Sequence, residues 1–336
     1  MTQTFERWFS HSSRLLESIV RGNCSRPLQV YQNTTNSVFL LKQGTCKKLY
    51  DCIANNHDAI TLSTYQASNV LLGLTPTALS LMGNSITEIS LLSSRRPLLS
   101  CLLAFAAPTI RPFPPFCYPN PLDTLAVQRD RAPYPHFGRP VQAAVSTAQY
   151  LIVTAAVANV TLVAYDLSTK SIFVPSCLAT FHPYLWTFIT GLIHLSGVCA
   201  FATRVRIHRR GHHGWSLRGW LSDETKLCAA YRGVEYELRH ESWYSIILGW
   251  LVATATVVHL IYGTLVLSSS TFIDTNDAVF IVFRYLLSTV AARIVLMFEL
   301  YGLQAAVVDP DAAHASVAAA EPPQKAILSK HRPPTD

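Results

Sequence analysis

WYSIILGWLVATATVVHLIYGTLVL, residues 243–267, runs for 25 residues without an Asp, Glu, Lys or Arg. A bilayer core about 30 Å thick is crossed by roughly 20 helical residues, and a helix on the surface of an aqueous domain needs a polar face that this one lacks. Residues 141–165 and 183–203 are equally free of those four residue types, and 278–298 contains only two of them, Arg284 and Arg293. The chain has 336 residues, 50% of them hydrophobic and 14% charged, whereas ordinary soluble domains are about 25% charged. The mean hydropathy is positive, +0.25. These features predict an all-α fold, a polytopic transmembrane helical bundle.

The loops orient it. Residues 94–140 carry six Lys and Arg and residues 204–242 carry eight, while 166–182 carries one and 268–277 none. Short loops rich in Lys and Arg stay cytoplasmic. Spans 141–165 and 243–267 are thus expected to run outward, 183–203 and 278–298 inward. The Ala- and Pro-rich tail, residues 304–336, is expected to be a disordered cytosolic tail. Upstream, residues 68–92 are long enough for the first span but include Pro76, Asn84 and Glu88, polar content that other helices must enclose. Residues 97–110 are too short for a comfortable crossing and read as a re-entrant or interfacial segment. Five spans are preferred; six are possible if 97–110 also crosses.

With five, residues 1–67 form a small extracytoplasmic N-terminal segment. Cys24, Cys46, Cys52 and Cys177 then share the oxidising side, where three disulfide connectivities are open to them. Asn23 and Asn33 head sequons that are expected to be glycosylated. A third sequon, at Asn159, falls too near the membrane for modification. The first residues show no uninterrupted apolar run of a cleaved signal peptide, so insertion is expected to be directed by the first span. Residues 3–20 place Phe5, Trp8, Phe9, Leu15, Leu16, Ile19 and Val20 on one side of a predicted amphipathic helix.

Chemistry is sparse. The net charge of +7 is concentrated in two loops beside apolar spans, which favours anionic lipid head groups at residues 204–242 and no nucleic acid. His208, His212 and His213 (HRRGHH) have the spacing of one box of a membrane di-iron oxidase, since imidazoles four or five residues apart on a helix can share a metal. Such enzymes need further boxes, and the remaining histidines are scattered, so no metal and no cofactor are assigned. Glu88, His194, His259, Arg284 and Arg293 are the polar residues within spans and therefore the functional candidates. Arg284 and Arg293 project to opposite sides of their helix, each within snorkelling reach of an interface, and Arg293 and Glu299 are expected to orient its inner end; Glu88 and Asp277 are available to arginines of neighbouring helices.

Three stretches, LLGLTPTALSLMGNSITEISLLSSRRPLLS (71–100), HRRGHHGWSLRGWLSDE (208–224) and RIVLMFELYG (293–302), resemble a group of uncharacterised multi-pass membrane proteins of filamentous fungi. The resemblance covers about residues 45–303 and implies a fungal membrane setting with no assigned chemistry and no catalytic residues to carry over. It also implies, as an alternative, an accessory role in a secondary-metabolite pathway. The expected function is a non-enzymatic scaffold, accessory or sensor component of the plasma membrane or an endomembrane of the secretory pathway. A small-molecule transporter is the first alternative, a metal-dependent oxidase the last.

Overall fold

The computed structural model describes residues 5–33, 39–112, 137–176, 181–209, 224–230, 234–240 and 242–306. The fold is all-α, 79% helical, with two minimal two-stranded sheets among the described residues. Among the described residues four helices are long and apolar enough to cross a membrane: α7 (Arg139–Lys170), α8 (His182–Arg204), α9 (Trp243–Ser268) and α10 (Thr275–Ala306). The chain is a membrane protein. Leu151, Leu192, Leu195, Trp250, Leu251, Val258, Ile261, Phe280 and Ile294 on these helices are exposed, as the lipid-facing side of a bundle requires.

Ahead of these lie α1 (Ser13–Arg21), α2 (Ser25–Asn33), α3 (Phe39–Asn55), α4 (Ala59–Met82), α5 (Ile86–Ser93) and α6 (Pro97–Ala106). The segment expected as one span over 68–92 is two helices. α4 starts earlier because Asp58 caps it, accepting from the backbone N–H of Thr61. It stops at Gly83–Ser85, where Ser85 and Glu88 form a reciprocal capping box that starts α5. The two helices in series traverse the bundle beside α10. Ser68 Oγ meets Thr275 Oγ1 at 3.2 Å at one end of α10, Glu88 pairs with Arg293 farther along, and Arg96 pairs with Glu299 towards the other end. α6 then turns back towards the interior: Phe105 lies against Gly191 of α8, and Ile110 bridges Asn84 at the α4–α5 break.

α1–α3 form a cap over one end of the bundle. Its core of Phe5, Trp8, Leu16, Ile19, Val20, Tyr31, Leu49 and Ile53 is shared with Tyr65, Ile172 and Phe272 of the bundle. The helix expected over residues 3–20 covers only Ser13–Arg21. Ser10 and His11 instead bond Asp277 at the start of α10, and this anchorage turns the chain so that Phe5, at φ 75°, Trp8 and Phe9 enter the core outside any helix. Beneath the cap, β1 (Ile172–Phe173) pairs antiparallel with β4 (Ser270–Thr271), joining the α7–α8 and α9–α10 loops. At the opposite end, β2 (Val205–Arg209) continues directly from α8 and pairs antiparallel with β3 (Val234–Leu238).

Candidate functional site

The end away from the cap holds a network of wholly buried charge. Pro97 opens α6, and its ring disfavours helical backbone at the preceding residue, so Arg96 turns at φ −126°, ψ 74°. That turn sends its side chain into the bundle with none of it exposed. Arg96 lies 2.9 Å from Glu299 Oε1, and donates to Gln149 Oε1 at 2.6 Å, Ser146 Oγ at 2.7 Å and the carbonyl of Glu224 at 3.0 Å. Its guanidinium also stands over the Tyr150 ring, 5.3 Å from the centroid. Glu299 accepts from Gln149 Nε2 at 2.6 Å and from the backbone N–H of Cys228 at 3.0 Å. Glu224, from the loop between α8 and α9, accepts from Tyr150 at 2.6 Å and from the backbone N–H of Leu99 at 2.9 Å, placing a carboxylate at the positive end of α6. Cys228 is buried beside it, and burial together with Glu299 pushes its thiol well above the ordinary range. Glu224 and Cys228 are thereby plugged into the base of the bundle.

A second site is the break between α4 and α5. Glu88 receives both guanidinium nitrogens of Arg293, one of them at 2.9 Å. Asn84, wholly buried, donates through Nδ2 to the carbonyl of Leu103 in the last turn of α6, and its own carbonyl accepts from Arg111 N–H. A third set of contacts lies nearer the cap. Arg284 donates to Asn159 Oδ1 at 2.8 Å and to Asp166 at 3.1 Å, and Lys170 sits 2.7 Å from the same carboxylate. Close by, His259 donates through Nε2 to the carbonyl of Trp186 at 2.8 Å, and Trp186 stacks on His259 and meets Tyr285 edge-on. His194 is buried two turns along α8 from Trp186, with neither ring nitrogen bonded.

The structure does not gather the intramembrane candidates into one site: of the five, only Glu88 and Arg293 bond each other among the described residues. Arg284 and Arg293, each within snorkelling reach of an interface, are both held by carboxylates of neighbouring helices, because a guanidinium at that depth gains more from a fixed carboxylate than from stretching to an interface. Glu88 takes an arginine, but Asp277 takes His11 and Ser10. The Asn159 amide is occupied by Ser288 Oγ and the Arg284 carbonyl. Cys24 and Cys52 form a disulfide with their Cα atoms 6.0 Å apart, and Cys46 is also disulfide-bonded; Cys177 lies outside the described residues. Asn23 and Asn33 are exposed, and Asn23 donates to Asn56 Oδ1 at 2.7 Å. The helical histidine box is corrected by β2, since His208 sits on a strand and bonds Glu237 at 2.9 Å; His212 and His213 lie outside the described residues. Among the described residues no three His, Cys, Asp or Glu side chains are placed to hold a metal.

Arg96, Gln149, Tyr150 and Glu224 escaped the sequence reading. The Arg95-Arg96-Pro97 step was a turn signal, but Glu224 lies in a polar loop that resembles any solvated segment. No family model, curated protein or solved structure matches the chain.

Proposed function

We propose that this protein is a non-enzymatic scaffold, accessory subunit or sensor of a secretory-pathway membrane, with the α1–α3 cap outside the cytoplasm and the basic loops and C-terminal tail in the cytosol. The observation that carries this reading is the pairing of three arginines with carboxylates across helix boundaries: Arg96 with Glu299, Arg284 with Asp166 and Arg293 with Glu88. Their charge ties helices together and leaves the cap, fused to the bundle through Ile172 and Phe272, as the recognition surface. The uneven loop basicity supports the orientation. Exposure of Asn23 and Asn33 supports glycosylation of the cap, and exposed Arg206 on β2 supports contact between the 204–242 loop and anionic head groups.

Purified protein in sealed vesicles is expected to pass no more labelled ions or small organic solutes than protein-free vesicles. Flux that disappears in Arg284→Leu would move the assignment to a transporter, a reading favoured by the break between α4 and α5. Stoichiometric iron or zinc lost on His212→Ala/His213→Ala would move it to an oxidase. Glycosidase treatment is expected to increase mobility of the expressed chain, and Asn23→Gln with Asn33→Gln to abolish that change.

A further inference from the structure

We propose that the break between α4 and α5 is a binding site for a small monovalent metal cation, with Na+ as its probe, built from uncharged oxygens. α4 and α6 end at the same place: Met82 and Ala106 are their last residues, and Asn84 and Ile110 just beyond them are bridged in parallel. Two helix C-termini, each carrying partial negative charge on its last carbonyls, therefore converge. Gly83 and Ala107, the residues after the two helices, are both in extended backbone. Gly83 permits the approach, since a β-carbon there would lie 2.9 Å from the Thr109 carbonyl oxygen and 3.4 Å from that of Leu79.

The second, independent observation is a pair of orphaned oxygens. Asn84 and Thr109 are both completely buried, and among the described residues neither Asn84 Oδ1 nor Thr109 Oγ1 has a hydrogen-bond partner. Asn84 reaches the end of α6, where its Nδ2 bonds the Leu103 carbonyl at 3.2 Å. Buried oxygens of this kind are satisfied by a ligand. The contacts of flanking residues with Thr275 and Arg293 place the break at about the middle of α10, where interrupted helices and half-helix C-termini present carbonyls to cations in other membrane folds. The carboxylate of Glu88, in the first turn of α5, is engaged by Arg293. The remaining ligands are neutral, which suits a monovalent ion and not Ca2+ or Mg2+, whose sites draw on carboxylates.

The test compares melting of the purified full-length protein in detergent across NaCl, KCl and choline chloride at equal ionic strength. A saturable rise in Tm with Na+ that choline does not reproduce is expected. In Thr109→Val and Asn84→Ala the half-saturating Na+ concentration should rise at least about tenfold, and Thr109→Ser should restore it. Identical melting in the three salts, as enclosed water would give, overturns the site, as does a rise unchanged in both variants. Should the variants fail to fold, hydrogen exchange of the unaltered protein decides: Na+-dependent protection is expected at residues 79–85 and 103–111, and protection that bypasses them overturns the assignment.

Discussion

Arg96 and Glu299 stand 2.9 Å apart with neither side chain exposed, linking the α5–α6 turn to the last third of α10. Removing one member of a buried ion pair strands its partner and costs about 3–5 kcal/mol. Arg96→Met is therefore expected to lower the detergent melting temperature sharply and to release the 224–230 loop to added protease. Arg96→Met combined with Glu299→Met should recover part of the loss, because no charge is then left uncompensated at the pair. Equal melting of Arg96→Met and the unaltered protein would contradict the network.

Helix spacing gives a prediction with its own control. A β-carbon on Gly263 would lie 2.1 Å from Trp186 Nε1, whereas one on Gly249 of the same helix meets nothing within 4 Å. Trp186 is wholly buried and has little room to yield. Gly263→Ala is expected to cost about 1–3 kcal/mol by overpacking, while Gly249→Ala should be neutral or slightly stabilising. The two melting curves decide it.

The Cys24–Cys52 bridge closes a loop with sequence separation 28 and ties the start of α2 to α3. Cys52→Ser is expected to destabilise the cap by about 2–4 kcal/mol. Limited proteolysis should then cut within residues 5–55 while leaving α7–α10 intact, since the bundle has cores of its own.

Those bundle helices were the most legible part of the sequence. Residues 183–203 and 243–267 became His182–Arg204 and Trp243–Ser268, because unbroken apolar length has only one use in a bilayer. Residues 68–92 were harder to read. Pro76, Asn84 and Glu88 looked like blemishes in one helix, when Gly83-Asn84-Ser85 followed by Glu88 was a stop, a turn and a capping box. Partner choice was not legible at all. That Arg293 would find Glu88 and Arg284 would find Asp166 depends on which helices touch, and periodicity along one helix says nothing about that. The histidine box misled because His208 was weighed as helical, whereas the chain leaving α8 is extended and pairs with residues 234–238.

Acidity should tighten the cap. His11 is held 2.7 Å from Asp277 Oδ1, and the hydrogen bond to that carboxylate and its charge raise the imidazole above its ordinary value near 6.5. A group whose folded pKa is raised contributes fully below its unfolded pKa and loses that contribution as pH rises through the folded one. Protection of residues 5–21 from hydrogen exchange, after correction for intrinsic rates, is expected to fall as pH climbs through that raised value. Asp277→Asn should flatten the dependence. A profile unaltered by Asp277→Asn would rule this contact out as the cause.

The Glu88–Arg293 pair spans 205 positions of sequence, and this separation bears on how the molecule is assembled. The ribosome delivers the carboxylate long before the guanidinium that neutralises it, so α4 and α5 stay without this partner until the last long helix arrives. A chain halted before residue 275 should leave α4 and α5 unanchored and open to surveillance by the machinery that discards half-made membrane proteins. Its maturation is then gated by the final helix, whatever the rate at which the earlier ones enter the lipid.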